Sequence, residues 1–436
     1  MTDRADPAQH RSLTRDDTRT LVLASLGGAL EFYDFIIYVF FAAVIGKLFF
    51  PPNIPVWLEQ LQTFGIFAAG YLARPLGGIV MAHFGDRTGR KRMFTLSVFM
   101  MAVPTLLIGL MPTYVTLGYA APLLLLLMRV FQGAAIGGEA PGAWVFVAEH
   151  VPSNRVGLAC GLLTGGLTGG ILLGSLMATT VNYVCTPAEI ADWAWRVPFL
   201  VGGLFGFLAM YLRRWLHETP VFEAMRARKA TATLPLKQVL RDHRASVLVS
   251  MLVTWMLTAA IVVVILMTPT LMQRLHGIAP TTTLIGSVVA TLLLTVSIIT
   301  VGALLDRFGA LPIVVIGGPA LIASTYALFL GTAANPGHLV ALYALAGLCV
   351  GTMAVVPYVM VRAFPAAVRF TGVSFSYNVA YAIFGGLTPV AVQLMLKYDR
   401  LGPAHYVAFT AVIGVVAVVV NASRGINHDT APLPAK

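Results

Sequence analysis

The chain has 436 residues, of which 58% are hydrophobic and only 11% are charged, and its formal net charge is +11. A soluble domain carries about 25% charged residues, so this composition excludes an ordinary soluble protein and indicates a surface that faces lipid. The basic residues lie in short segments between apolar runs, which indicates membrane orientation rather than nucleic-acid binding. The three cysteines are widely spaced and form neither a metal-binding pattern nor a disulfide framework.

Twelve apolar segments are long enough to cross a bilayer, which takes about 20 helical residues. The polar N-terminal tail, residues 1–20, has no signal-peptide pattern, so the first segment is predicted to remain as a helix. In chain order the predicted spans are 21–46, 58–83, 93–113, 118–148, 156–182, 197–216, 246–272, 282–304, 311–332, 337–361, 368–396 and 404–422.

The longest polar stretch, residues 217–245, separates the sixth span from the seventh. It predicts a cytoplasmic linker between an N-terminal six-helix bundle, residues 21–216, and a C-terminal bundle, residues 246–422. Residues 423–436 are predicted to form a cytoplasmic tail.

An internal repeat supports this division. Asp86-Arg87 follows the second span, and Asp306-Arg307 follows the eighth, about half a chain later. This spacing is typical of two parallel repeats related by an axis along the membrane normal. We therefore predict an all-α polytopic membrane protein with twelve transmembrane helices in two pseudo-symmetric bundles.

The basic residues also orient the chain. With both termini on one side, about three-quarters of the Lys and Arg residues lie on that side, and Arg74 and Arg129 lie inside spans. Because cytoplasmic loops are enriched in Lys and Arg, both termini are predicted to be cytoplasmic and the location to be the inner (plasma) membrane.

Ionisable groups inside spans are costly and are usually functional. Here they lie in the first half: Glu31, Asp34, Arg74, Arg129 and Glu139. Glu31 and Asp34 are three residues apart and share a helix face, which predicts proton coupling. The alternative is that an acid pairs with Arg74 and only holds two helices together. Arg74 is predicted to bind a carboxylate through two N–H groups, the alternative again being a fixed ion pair.

A polar stripe in the eleventh span predicts a surface that faces substrate. The stripe has helical spacing, and its alternative role is to hydrogen-bond neighbouring helices. The predicted substrate contacts besides Arg74 are Tyr38, Gln132, Thr254, Ser374, Tyr377, Asn378 and Tyr381.

The charged segments after the second and eighth spans are predicted to form gates by pairing with helix ends. The alternative is simple anchoring by positive charge, although an acid such as Asp86 adds nothing to such anchoring. The predicted gating residues are Gly85, Asp86, Arg87, Gly89, Arg90, Asp306 and Arg307.

Two motifs carry a resemblance to a known family. The segment 83–92, reading HFGDRTGRKR, and the segment 129–133, reading RVFQG, resemble the loop and fourth-helix signatures of the major facilitator superfamily. Glu31-Phe32-Tyr33-Asp34-Phe35 is similar to the first helix of its metabolite:proton symporters. This resemblance implies uptake of carboxylates, shikimate, or betaine and proline with protons, and a proton-transfer role for Arg129. Glu139 is assigned to the same coupling group, the alternative being a buried structural network.

The second loop motif departs from the family pattern. Asp306-Arg307-Phe308-Gly309 lacks the usual basic pair that follows, which predicts a weaker gate on the second half. The fifth span lacks the Gly-Pro pair of the antiporter signature, which disfavours drug efflux.

Together these features predict a proton-coupled importer of a small organic anion that functions as a monomer in the lipid bilayer. The rival interpretations are an exporter or antiporter and a transport-dead membrane sensor. The sequence has no P-loop and no nucleophile–base or metal pattern, so we predict no enzyme activity, no nucleic-acid partner and no cofactor, with H⁺ as the coupling ion.

Overall fold

The computed structural model describes residues 12–88, 90–213 and 235–425. Over these residues nine helices are long and apolar enough to cross a membrane, and the bent pair Pro187–Ala194 and Arg196–Leu212 adds a tenth. Two more helices fill the second and third positions. The twelve helices are α1 Arg15–Phe40, α2 Val56–Thr88, α3 Arg90–Leu110, α4 Ala120–His150, α5 Ser153–Val184, α6 Arg196–Arg213, α7 Arg244–His276, α8 Pro280–Phe308, α9 Ala310–Ala334, α10 Pro336–Arg362, α11 Arg369–Leu396 and α12 Gly402–Ser423.

The first helix differs from its predicted limits at both ends. It begins at Arg15, because Thr14 Oγ1 accepts a hydrogen bond from the Asp17 N–H and the Asp17 carboxylate accepts one from the Thr14 N–H. Such a reciprocal cap satisfies two N–H groups that lack helical partners. The helix ends at Phe40, and the short helix Ala42–Phe49 follows a break at Phe41. The predicted tail at residues 1–20 is therefore partly helical.

The predicted loop between the second and third spans is also shorter than expected. α2 continues to Thr88 and α3 begins at Arg90, so most of the motif at 83–92 is helical. In the predicted linker at 217–245, residues 217–234 lie outside the described residues, while Pro235–Asp242 is a short helix just before α7.

Close helix packing in the first half depends on glycine. A Cβ at Gly133 of α4 would collide with the backbone of Gly70 of α2. The two backbones therefore approach more closely than any larger residue permits. The two helices run in the same direction, with Arg129 beside Gly70 and Arg74 beside Gly137. The two arginines therefore lie about two helical turns apart along the bundle.

Two helices of the second half contain wide turns. Residues Ala260–Met267 of α7 and Tyr381–Gly385 of α11 are π-helical. Such turns are rare and are concentrated at functional sites. The turn in α11 begins at Tyr381, one of the predicted substrate contacts.

The halves meet where α5 packs against α8 and where α11 packs against α2 and α4. Gly157 and Gly161 of α5 lie against Gly302 of α8, and Thr168 Oγ1 of α5 lies 3.0 Å from Thr295 Oγ1 of α8. We call the side on which α1 begins and α12 ends the terminal side. The glycine contacts lie toward that side, since α5 starts there and α8 finishes there.

Candidate functional site

Asp34 of α1 is enclosed between helices of the first half. It is 0% exposed, and neither carboxyl oxygen has a hydrogen-bond partner among the described residues. Two glycines of α6 leave room for it: a Cβ at Gly202 would lie 2.6 Å from Asp34 Oδ1, and one at Gly206 would lie 3.3 Å from Oδ2. Thr105 of α3 borders the same space. A charge held here would be costly without a partner, whereas a protonated carboxyl carries none.

A chain of hydrogen bonds joins Arg129 of α4 to the surroundings of Asp34. Arg129 Nη1 donates to the Phe35 carbonyl at 3.2 Å and to Gln132 Oε1 at 3.0 Å. Gln132 Nε2 donates in turn to Thr105 Oγ1 at 2.7 Å. Thr105 Cγ2 and Asp34 Oδ1 both border the space beside Gly202, so the arginine network reaches the surroundings of Asp34 without bonding its carboxyl.

The remaining predicted residues of α1 and α4 are buried as well. Glu31 and Glu139 are 1% and 3% exposed. The Tyr38 hydroxyl donates to the Thr63 carbonyl at 3.2 Å, and its ring centroid lies 4.4 Å from Arg129 Cζ. In this conformation Tyr38 therefore packs against the arginine network.

Arg74 of α2 lies in a box of four aromatic rings, which we call the aromatic box. Its Cζ is 4.4 Å from the Tyr381 ring centroid, 5.2 Å from Tyr71, 5.6 Å from Tyr377 and 5.7 Å from Phe35. Tyr71 and Tyr381 are stacked, with centroids 5.7 Å apart. Phe35 and Tyr71 come from the first half and the other two rings from α11, so the box exists only where the halves meet.

The polar groups of α11 and α7 are largely engaged with backbone. Asn378 Nδ2 donates across the interface to the Gly137 carbonyl of α4 at 2.5 Å, and also to the Ser374 carbonyl at 2.8 Å. Thr254 Oγ1 donates to the Ser250 carbonyl at 2.7 Å. Asn378 thus joins the halves, whereas Thr254 bonds within α7 and also donates to Met360 Sδ of α10 at 3.6 Å.

Charged contacts join the two halves on the terminal side. The Asp306 carboxylate of α8 accepts the N–H groups of Gly157 and Leu158 at the start of α5, at 2.6 and 2.9 Å. Arg369 of α11 and Glu149 of α4 form a fully buried ion pair with an N–O distance of 3.3 Å. Each contact ties one half to the other, and all of these residues lie at the terminal-side ends of their helices.

The remaining predicted gating residues are Arg307 of α8 and five residues between positions 85 and 90. Arg307 is exposed, and its guanidinium lies 5.2 Å from the Phe308 ring centroid. Gly89 lies outside the described residues, as do the side chains at positions 82–95. The gating roles of Gly85, Asp86, Arg87, Gly89 and Arg90 stay predictions.

Sequence reasoning missed several residues of the site. Tyr71 lies three residues before Arg74, on the same helix face, and Phe35 adjoins Asp34; both signals were available. Thr105 has no such signal, because its role depends on α3 meeting α4 and α6. The Glu149–Arg369 pair was also missed, since its members lie 220 residues apart.

Comparison with known proteins agrees with this architecture. The profile described as Major Facilitator Superfamily matches residues 35–389. The chain is 33% identical over 414 residues to the Staphylococcus aureus protein named "Putative proline/betaine transporter", an alignment that covers 92% of this chain and 87% of that one. It is 32% identical over 406 residues to the "Citrate-proton symporter" of Klebsiella pneumoniae, with 90% and 88% covered.

A solved structure shares the fold. The proton:xylose symporter XylE superimposes with a TM-score of 0.78 at 16% identity, covering 96% of this chain and 97% of that one. The predicted twelve-helix architecture and the resemblance stated from the motifs are both confirmed. This chain is a multi-pass membrane protein that belongs to the Major Facilitator Superfamily.

Proposed function

We propose that this protein is a proton-coupled symporter that imports a small organic anion bearing a carboxylate. The observation that carries the proposal is the buried carboxyl of Asp34, whose oxygens have no hydrogen-bond partner among the described residues. An acid in this position is costly when charged. Binding and release of a proton therefore change its interactions more than those of any exposed acid.

The proton and the substrate have separate sites in this proposal. Asp34 takes the proton, and the Arg129–Gln132–Thr105 chain carries the electrostatic effect of that proton into the bundle. Glu31 and Glu139 supply further buried acids. Arg74 receives the substrate carboxylate between the two halves, where transporters of this architecture place their substrates.

Alternating access follows from the contacts between the halves. The terminal side is closed by the Asp306 and Glu149–Arg369 contacts. If the termini are cytoplasmic, as the basic residues predict, the site opens first to the outside of the inner membrane. Substrate and proton then favour the opposite state through their differential affinity for it. A single chain contains every part of this cycle.

The named relatives support the substrate class. The names of two of them contain citrate and proline/betaine, and all three of these compounds carry a carboxylate. The rival interpretations are an exporter or antiporter, which would use the same site with opposite net flux, and a membrane sensor, which would bind ligand without flux.

The test is medium pH in weakly buffered, de-energised cells that overproduce the protein. We would add butanoate, benzoate, shikimate, proline, betaine, succinate, phthalate and citrate one at a time. At least one compound is expected to make the medium alkaline, and Asp34→Asn is expected to abolish the change, because an amide cannot take up the proton.

The matched control is Asp399→Asn, the same substitution at an exposed position, which should retain the pH change. Substrate-dependent acidification would favour antiport. Binding without any flux would favour the sensor. A full pH response in Asp34→Asn would refute the coupling role.

A further inference from the structure

The buried basic residues limit how many acidic groups a ligand can present. Three basic side chains are buried among the described residues: Arg74, Arg129 and Arg369. Arg369 pairs with Glu149 on the terminal side. Arg129 donates to a backbone carbonyl and to Gln132 within the first half. Arg74 thus differs from both, because it lies between the two halves beside rings from each and forms no ion pair among the described residues.

The guanidinium of Arg74 presents one specific edge. Its Nε and Nη2 atoms are fully buried and have no hydrogen-bond partner among the described residues. These two nitrogens form the side edge of the guanidinium, where two parallel N–H bonds match the two oxygens of one carboxylate. Buried donors without partners are destabilising, because they have lost their hydrogen bonds to water. This edge therefore indicates a ligand that satisfies both donors together.

The rest of the aromatic box suits an uncharged body. Its walls near Arg74 are the rings of Phe35, Tyr71, Tyr377 and Tyr381. Ring faces carry partial negative charge, so a second carboxylate against them would be repelled. Arg129 lies 4.4 Å from the centroid of the Phe35 ring, but it donates to the Phe35 carbonyl and to Gln132 within the first half.

Building on the proposed function, we propose that the substrate carries a single carboxylate, bound side-on by Nε and Nη2 of Arg74, with its uncharged body among the tyrosine rings. Binding also involves movement between the halves. The donor atoms are sealed here and the Tyr71 and Tyr381 rings are stacked, so α2 and α11 must separate at these rings to admit the ligand.

Matched acids test the number of carboxylates. The full chain in lipid nanodiscs would be titrated with butanoate against succinate, benzoate against phthalate, and shikimate against citrate. Binding would be followed by thermal shift and by tryptophan fluorescence, to which Trp144 contributes with its ring 4.9 Å from that of Tyr377. Flux of the same compounds would be measured in parallel. We expect binding and flux for one or more single-carboxylate compounds, at least tenfold tighter than for any matched polycarboxylate.

Arg74→Lys tests the fork, by which we mean the two parallel N–H groups at Nε and Nη2. Lysine keeps the charge but has no such pair of N–H groups. We expect affinity to fall at least tenfold. The control is Arg196→Lys: Arg196 also lies over a ring, at 4.5 Å from Trp195, but it donates to the Gly109 and Met111 carbonyls at the other side of the molecule. Affinity should be unchanged in Arg196→Lys. Both variants would first be checked, without ligand, for monodispersity and correct folding.

The outcomes separate the two proposals. Tighter binding or faster flux of succinate, phthalate or citrate would overturn the single-carboxylate inference and leave organic-anion symport standing. Unchanged affinity in Arg74→Lys would overturn the role of the fork. Neither binding nor flux with any compound would overturn the proposed function, and this inference with it.

Discussion

The two halves share one architecture but contribute different chemistry to their interface. Six of the seven buried charged side chains among the described residues lie in the first half: Glu31, Asp34, Arg74, Arg129, Glu139 and Glu149. The second half contributes Arg369 together with the rings and polar groups of α11 and α7. The comparison teaches that duplicated folds need not duplicate function. One half can hold the charges while the other closes the site around them.

The largest effect is expected from Gly202→Ala, which displaces the carboxyl of Asp34 without removing it. The new Cβ would lie 2.6 Å from Asp34 Oδ1 and 2.9 Å from Thr105 Cγ2, so the carboxyl must shift. A misplacement of about 1 Å at a functional group can lower a rate about 100-fold. We expect initial uptake rates in proteoliposomes to fall by about 10- to 100-fold.

Gly169→Ala is the control for this change, because a Cβ added to this glycine of α5 would meet no atom within 4 Å beyond its own chain neighbours and helix backbone. It should transport at the wild-type rate, since alanine favours a helix over glycine by roughly 0.5–1 kcal/mol. Equal rates in the two alanine variants would mean that the space around Asp34 does not control transport.

An intermediate effect is expected at Glu149 and Arg369, where each half supplies one buried charge. Glu149→Gln or Arg369→Gln leaves the other charge buried without its partner, which costs about 3–5 kcal/mol. We expect a lower thermal unfolding temperature in each single variant, together with easier labelling of cysteines introduced on the terminal side.

The double variant sharpens this comparison, because it leaves no unpaired charge. Its unfolding temperature should lie above that of either single variant. Additive losses would show that the two residues stabilise the protein independently and would argue against a joint latch.

The smallest effect is expected at the exposed pair of the second half, Asp399 and His405. The Leu401 N–H and then His405 hold the pKa of Asp399 below its usual value. Because the pKa is lowered in the folded state, its contribution to stability is present at neutral pH and is lost as pH falls through that pKa. Asp399→Asn should lower the unfolding temperature by no more than about 2 °C at pH 7.

This small difference should vanish in acid, once the pH is below the lowered pKa of Asp399 and the wild-type carboxyl is protonated as well. Unfolding curves of both proteins over this pH range provide the measurement. If Asp399→Asn lowered the unfolding temperature as much as the variants at Glu149 and Arg369, burial would not be what distinguishes the strength of these contacts.

The sequence alone determined the membrane class, the twelve helices and the placement of charge in the first half. These follow from local properties, because about 20 apolar residues must span lipid as a helix and charge inside such a helix is visible in the chain itself. The same reasoning identified Asp34, Arg74, Tyr377 and Tyr381 as candidates.

Only the tertiary structure decided which of these residues meet. Whether Arg74 pairs with an acid or lies among rings depends on how α2 packs against α1 and α11. Whether Asn378 faces a cavity or bonds the Gly137 carbonyl depends on the distance between the halves. Contacts such as Glu149 with Arg369 join residues far apart in the chain, and no local pattern encodes them, because helix packing fixes their separation and side-chain volumes fix the packing.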